Sequence, residues 1–178
     1  MPTGHVFIAT SLDGFIARPD GSLDWLISPD HQAEDHGYDA FMRDIDAIIM
    51  GRGTYEAVLT FDAWPYDKPV IVLSQQLAGS TPPEALQGKV TFAALGPRAA
   101  MDLAAQRGAK RVYIDGGQIV QAFLREGLVS DMIISRIPVL IGEGRSLFGM
   151  IGRDIPLIHD STAAFPSGLV QSRYRIGG

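Results

Sequence analysis

Cysteine is missing from the 178-residue sequence. Its absence removes disulfides, thiol nucleophiles and cysteine-ligated zinc together. Asparagine is missing too. Scarcity of both is a thermophile habit, but biased base composition produces it equally, so it identifies no function. Basic charge is short: 15 Lys and Arg against 20 Asp and Glu leave a formal net charge of -5. A surface that tracks nucleic-acid phosphates needs clustered Lys and Arg, so no nucleic acid is expected as a partner, although one or two basic residues suffice for a phosphorylated small molecule. Long apolar runs are absent. Stretches such as 47–50 and 70–73 are strand-sized, far short of the roughly 20 residues of a membrane span. Residues 1–9 are too short and too polar for a signal peptide, so the expected location is cytoplasmic, with no membrane partner. His5, His31, His36 and His159 show no H-E-x-x-H spacing, and no metal site is expected.

What remains is an ordinary globular mixture, 46% hydrophobic and 20% charged. Its length fits a single domain, 1–178, with a sizeable core. Strand-like runs fall at His5–Thr10, Phe15–Ala17, Asp46–Met50, Lys68–Ser74, Lys89–Ala93, Arg111–Asp115 and Asp131–Ile141, the last interrupted by Pro138. Helical patterns fall between them. One runs from His31 to Arg43 with Tyr38, Phe41 and Met42 on one face; others cover Thr54–Phe61, a helix opened by Pro97 and stopped at Gly108, and Gln118–Glu126. Segments 155–164 and 169–175, separated by Pro166-Ser167-Gly168, form a terminal hairpin. Strand–helix alternation implies an α/β fold of three layers, α/β/α, around a mixed, mostly parallel sheet closed by a C-terminal antiparallel hairpin.

Two strand-to-helix junctions are glycine-rich. The first is Met50-Gly51-Arg52-Gly53-Thr54-Tyr55-Glu56, where free amides at a helix start meet a forked cation. The second is Ile114-Asp115-Gly116-Gly117-Gln118-Ile119, where glycine lets the backbone approach a ligand. Each alone reads more often as a mere tight turn, and neither matches the G-x-G-x-x-G or P-loop pattern. Two such turns at carboxyl ends of parallel strands suit a dinucleotide lying across the sheet.

Together with Ala9-Thr10-Ser11-Leu12-Asp13-Gly14-Phe15-Ile16-Ala17, Val72-Leu73-Ser74 and the run Pro138-Val139-Leu140-Ile141-Gly142-Glu143-Gly144 to Leu147-Phe148, these junctions make the chain resemble the dihydrofolate reductase-like superfamily. The resemblance is greatest to the branch of the RibD C-terminal reductase domain of riboflavin biosynthesis and its small stand-alone relatives. It implies an NADPH-dependent oxidoreductase that transfers a hydride to a small heterocyclic substrate. The implied substrate type is 5-amino-6-(5-phosphoribosylamino)uracil, whose ribose is reduced to ribitol. A dihydrofolate or pterin reductase on the same fold is the alternative, and an NADPH-binding module without turnover a third reading. A homodimer is implied, with the C-terminal strands as its expected contact. The zinc deaminase motifs of the full-length riboflavin enzyme are absent from these residues.

Residue by residue, the resemblance assigns Ala9 and Thr10 to the nicotinamide carboxamide and Ile16 and Ala17 to the loop over the nicotinamide. It assigns Gly51, Arg52 and Thr54 to the pyrophosphate and 2′-phosphate, Leu73, Ser74 and Gln75 to the adenosine side, and Gly116, Gly117, Gln118 and Ile119 to the second pyrophosphate turn. It also implies a cis peptide between Gly116 and Gly117. Asp35, Asp39 and Asp13 are the candidate proton donors; a turn cap or a solvated helix face is the equally weighted plain role for each. Trp25, Tyr38 and Arg145 are candidate substrate contacts, set against ordinary packing for the aromatics and a surface position for the arginine.

Overall fold

The computed structural model describes Met1–Gly177, with Pro29 and Gln32 described by their backbone alone. Apolar β-branched runs form its strands. β1 (Thr3–Ser11), β3 (Ala47–Gly51), β4 (Val70–Leu73), β5 (Val90–Ala93), β6 (Arg111–Asp115) and β7 (Val129–Ile137) pair in parallel. β10 (Val170–Ile176) runs antiparallel to β7, and β9 (Leu157–Ala164) antiparallel to β10. The eight-stranded order is β5-β4-β3-β6-β1-β7-β10-β9. β2 (Phe15–Ala17) pairs with β8 (Arg145–Ser146) in a separate two-stranded ribbon. The expected architecture, mixed and mostly parallel with a closing hairpin, is the one observed. β9 lies at the sheet edge with all its residues exposed.

The period-2 alternation of strands sorts the core into two layers. Ala47 and Ile49 belong to one cluster with Val112 and Ile114, under Ala100, Met101 and Ala104 of α4 (Pro97–Gln106) and Val120, Phe123 and Leu124 of α5 (Gly117–Arg125). Ile48 and Met50 belong to the other with Tyr113, under Tyr55 of α3 (Arg52–Val58) and Phe41 of α2 (Tyr38–Arg43). Helices therefore cover both faces of the sheet.

Two elements differ from expectation. The helix predicted from His31 to Arg43 is broken into α1 (Pro29–Gln32) and α2. The break is local chemistry: Gly37 adopts φ +82, and Asp35 Oδ1 accepts the Gly37 N–H at 2.8 Å, an Asx turn that competes with the helix. Asp35 and Asp39 consequently do not share a helix face. β7 also stops at Ile137 instead of continuing to Ile141, because Pro138 has no N–H to give the ladder and Val139 turns to pair with Leu12. Among the described residues no helix is long and apolar enough to cross a membrane.

Candidate functional site

The strand order makes a crevice. From β3 the chain passes through β4 to β5 at one edge, then returns to β6 on the other side of β3. α3, which follows β3, and α5, which follows β6, therefore cover opposite faces. At this switch point the carboxyl ends of β3 and β6 lie side by side, with Met50 opposite Asp115. Both glycine turns open there.

The turns touch each other. Gly116 adopts φ +97, a region open mainly to glycine, and a Cβ on it would lie 2.7 Å from Thr54 Oγ1. A Cβ on Gly51 would press on Ile119 at 3.1 Å, and one on Gly117 would collide with the Ser146 carbonyl. Among the described residues no peptide bond is cis, so the cis Gly116–Gly117 bond expected from the resemblance is corrected to trans. The open φ of Gly116 is what turns the strand into α5.

Between the turns runs a groove of about 740 Å³, lined by backbone and side chains of Gly51, Arg52, Thr54, Leu73, Ser74 and the run 116–119, with Ile16 and Arg145. Backbone amides, the hydroxyls of Thr54 and Ser74 and two guanidinium groups are donors suited to an elongated anionic ligand. Arg52 is half-exposed and holds Glu56 at 3.1 Å, a weak surface pair that leaves the guanidinium free to turn to a ligand.

The groove opens, past Ile16, Thr54, Gly116 and Arg145, into a chamber of about 230 Å³. Phe7, Ile8 and Ala9 of β1 form part of its lining, Ile16 and Ala17 a wall, and Ala57, Val58 and Phe61 come from α3 and the turn after it. Leu23, Leu26 and Tyr66 add apolar surface. Asp115 is the only carboxylate among its described lining residues. Burial pushes the Asp115 carboxyl up to about 6, against the Gly116 N–H that Oδ1 accepts at 2.8 Å and the neighbouring Tyr113 phenol. The Tyr113 and Tyr66 phenols are themselves raised, first by burial and then by the Asp115 charge. Tyr113 donates to the Phe7 carbonyl at 2.8 Å.

The predicted site residues separate cleanly. Ile16, Gly51, Arg52, Thr54, Leu73, Ser74, Gly116, Gly117, Gln118 and Ile119 line the groove, and Ala9 and Ala17 the chamber. Thr10 is buried in β1, and Gln75 is exposed; neither lines groove or chamber. Arg145 lines both. Asp35 is exposed and occupied by its own turn. Asp39 and Tyr38 line a different surface cavity with Arg43 and Lys68, and Tyr38 stacks edge-on against Phe7 with centroids 5.5 Å apart. Asp13 accepts the backbone N–H groups of Ile141 and Gly142 at 3.3 and 2.8 Å, fastening the loop after β7, and its carboxyl is held below the usual range mainly by Ser11. Trp25 is half-buried, with its indole N–H unpartnered among the described residues; its neighbours Leu23 and Leu26, not Trp25, line the chamber. Sequence reasoning passed over Asp115 as an acid. The available signal was a carboxylate ending a buried apolar strand directly before two glycines.

The family model described as the RibD C-terminal domain matches residues 2–170. YwjB of Bacillus subtilis (strain 168) is 37% identical over 164 residues, covering 90% of each chain. A putative riboflavin biosynthesis protein from Shewanella sp. PV-4 superposes with a TM-score of 0.89 at 37% identity, over 99% of both chains. The Thermotoga maritima diaminohydroxyphosphoribosylaminopyrimidine deaminase/5-amino-6-(5-phosphoribosylamino)uracil reductase shares the fold, with a TM-score of 0.73 at 15% identity; the match covers 99% of this chain and 57% of that one.

Proposed function

We propose, given that the chain belongs to the RibD C-terminal domain family, that it is an NADPH-dependent reductase acting on a small heterocycle of the aminouracil kind named for the Thermotoga maritima enzyme. The observation that carries this reading is one shared groove between two glycine turns, opening onto a chamber whose described lining residues include a single carboxyl. NADPH fits the donors of that groove: amides of 51–54 and 116–119 for the diphosphate, Arg52 and Ser74 for the 2′-phosphate and adenosine side.

Reducing a C=N or C=O bond places a hydride on carbon and a proton on the heteroatom. NADPH, when bound, supplies the hydride. The chain's own residues do the rest. Ile8 and Ala9 of β1, with Ile16 and Ala17 from the adjoining ribbon, hold a flat ring in the chamber and keep water from it. Asp115 is the proton donor: Oδ1 is engaged by the Gly116 N–H, which leaves Oδ2 to carry and deliver the proton.

The test is absorbance of the reduced nicotinamide with the full chain. It should fall when NADPH is mixed with 5-amino-6-(5-phosphoribosylamino)uracil or its dephosphorylated form, and stay constant with dihydrofolate. Oxidation by dihydrofolate alone selects the pterin reading, and constant absorbance with all of them leaves a binding module.

A further inference from the structure

Three cavities meet at Arg145. It lines the groove, the chamber and a third space of about 450 Å³ that shares Gly21, Leu23, Gly53 and Phe61 with the chamber. Its main chain is fixed in β8, where it pairs with Ala17 of β2. Its side chain is held by little. Among the described residues it enters no ion pair, and its one side-chain hydrogen bond is donated to the Pro19 carbonyl at 3.5 Å. Among the described residues lining the chamber it is the one cation.

Two glycines give the guanidinium its place. A Cβ on Gly21 would lie 3.2 Å from Nη2, but Gly21 has φ +89, so its backbone calls for glycine in any case. Gly53 is different. It lies within α3, outside the left-handed region, and alanine is favoured over glycine in a helix. A Cβ there would lie 2.9 Å from Arg145 Nη1 and, its own helix backbone and chain neighbours aside, within 4 Å of no other described atom. The methyl missing from Gly53 is therefore the space that Arg145 occupies at the passage from groove to chamber. A guanidinium carries five N–H donors in one plane. At that passage it can donate to a phosphate oxygen on the groove side and to a ring carbonyl on the chamber side together. The ligand that arrives first fixes the long side chain, and the second meets donors already in place.

We propose that Gly53 is a positioning residue that seats Arg145 across this passage, and that through Arg145 the cofactor and the substrate strengthen each other's binding. The proposal rests on the reductase reading above and adds to it a coupling between the two ligand sites.

The experiment is calorimetry on the full chain. The Kd of NADP⁺ is measured alone and with saturating 5-amino-6-(5-phosphoribosylamino)uracil, and the Kd of that compound with and without saturating NADP⁺; the oxidised cofactor has no hydride to give, so the ternary complex persists. The two ratios should agree, because coupling is reciprocal. Each should be about three- to tenfold, the effect of ordering one long side chain once instead of twice. Gly53→Ala should melt at or above the wild-type temperature, because only the free end of a side chain has to move, yet its ratio should fall toward one. Arg145→Ala should lose the ratio too, and adding Gly53→Ala to it should change neither Kd further. A wild-type ratio of one overturns the proposal, as does a ratio that survives in either single variant. Further weakening when Gly53→Ala is added to Arg145→Ala also overturns it, because the methyl then acts on the ligands directly. Each of these results leaves the reductase reading standing. If the wild type binds neither ligand, the reductase reading falls and the proposal falls with it.

Discussion

Asp115→Asn is expected to lower kcat by about 10²- to 10⁴-fold, the range of a lost general acid. The substitution keeps an oxygen for the Gly116 N–H and nearly the same volume, so the turn into α5 survives and the loss reports the proton. The pH profile carries the sign. With the carboxyl at about 6, the acid form predominates below that value. Wild-type kcat should hold there and fall about tenfold per unit above it, and the variant should lack this limb. Stability moves in the same direction. The fold binds this proton more tightly than the unfolded chain, so the favourable contribution is full below the ordinary 3.8 and is lost as pH rises through about 6. A melting-temperature series should therefore decline across that window in the wild type and be flatter in the variant. An Asp115→Asn enzyme with wild-type kcat and an unchanged pH limb would remove Asp115 from the reaction.

Arg52→Ala should weaken NADPH binding by roughly 10- to 100-fold and NADH binding by little, because a charge-assisted bond to a 2′-phosphate is worth about 1.5–3 kcal/mol and NADH has no such group. Arg52 is suited to this role by position: it follows Gly51 at the end of β3, beside Ser74, and its only ion-pair partner among the described residues is the half-exposed Glu56. Kd values for the two cofactors, measured by quenching of protein fluorescence, decide it. Equal loss for both places the guanidinium on the diphosphate instead.

The sheet was legible because its signals are local and redundant. Ala47-Ile48-Ile49-Met50 reads as a strand buried on both faces, and its residues do divide between the two core layers. Gly51 and Gly116 announced their turns for the same reason: glycine follows an apolar strand where the backbone must change direction. The acid was harder to see. Asp35 and Asp39 both lie in the stretch expected to be one helix, but that helix does not persist through Gly37, and neither carboxylate lines the groove or the chamber. Asp115 was in plain view, but what sets it apart is burial beside Tyr113 and Tyr66, and that arises only when β6 is flanked by β1 and β3. Arg145 was visible only as an arginine after a loop. Its position at the meeting of three cavities depends on Gly21 and Gly53, which lie 124 and 92 residues away in the chain and leave it room.

Crystals of the full chain soaked with NADPH test the central claim most directly. The diphosphate should be found between the amides of 51–54 and those of 116–119, with the nicotinamide over Ala9 and facing the Asp115 chamber. A diphosphate bound by only one of these turns, or a cofactor lying elsewhere on the sheet, would contradict it.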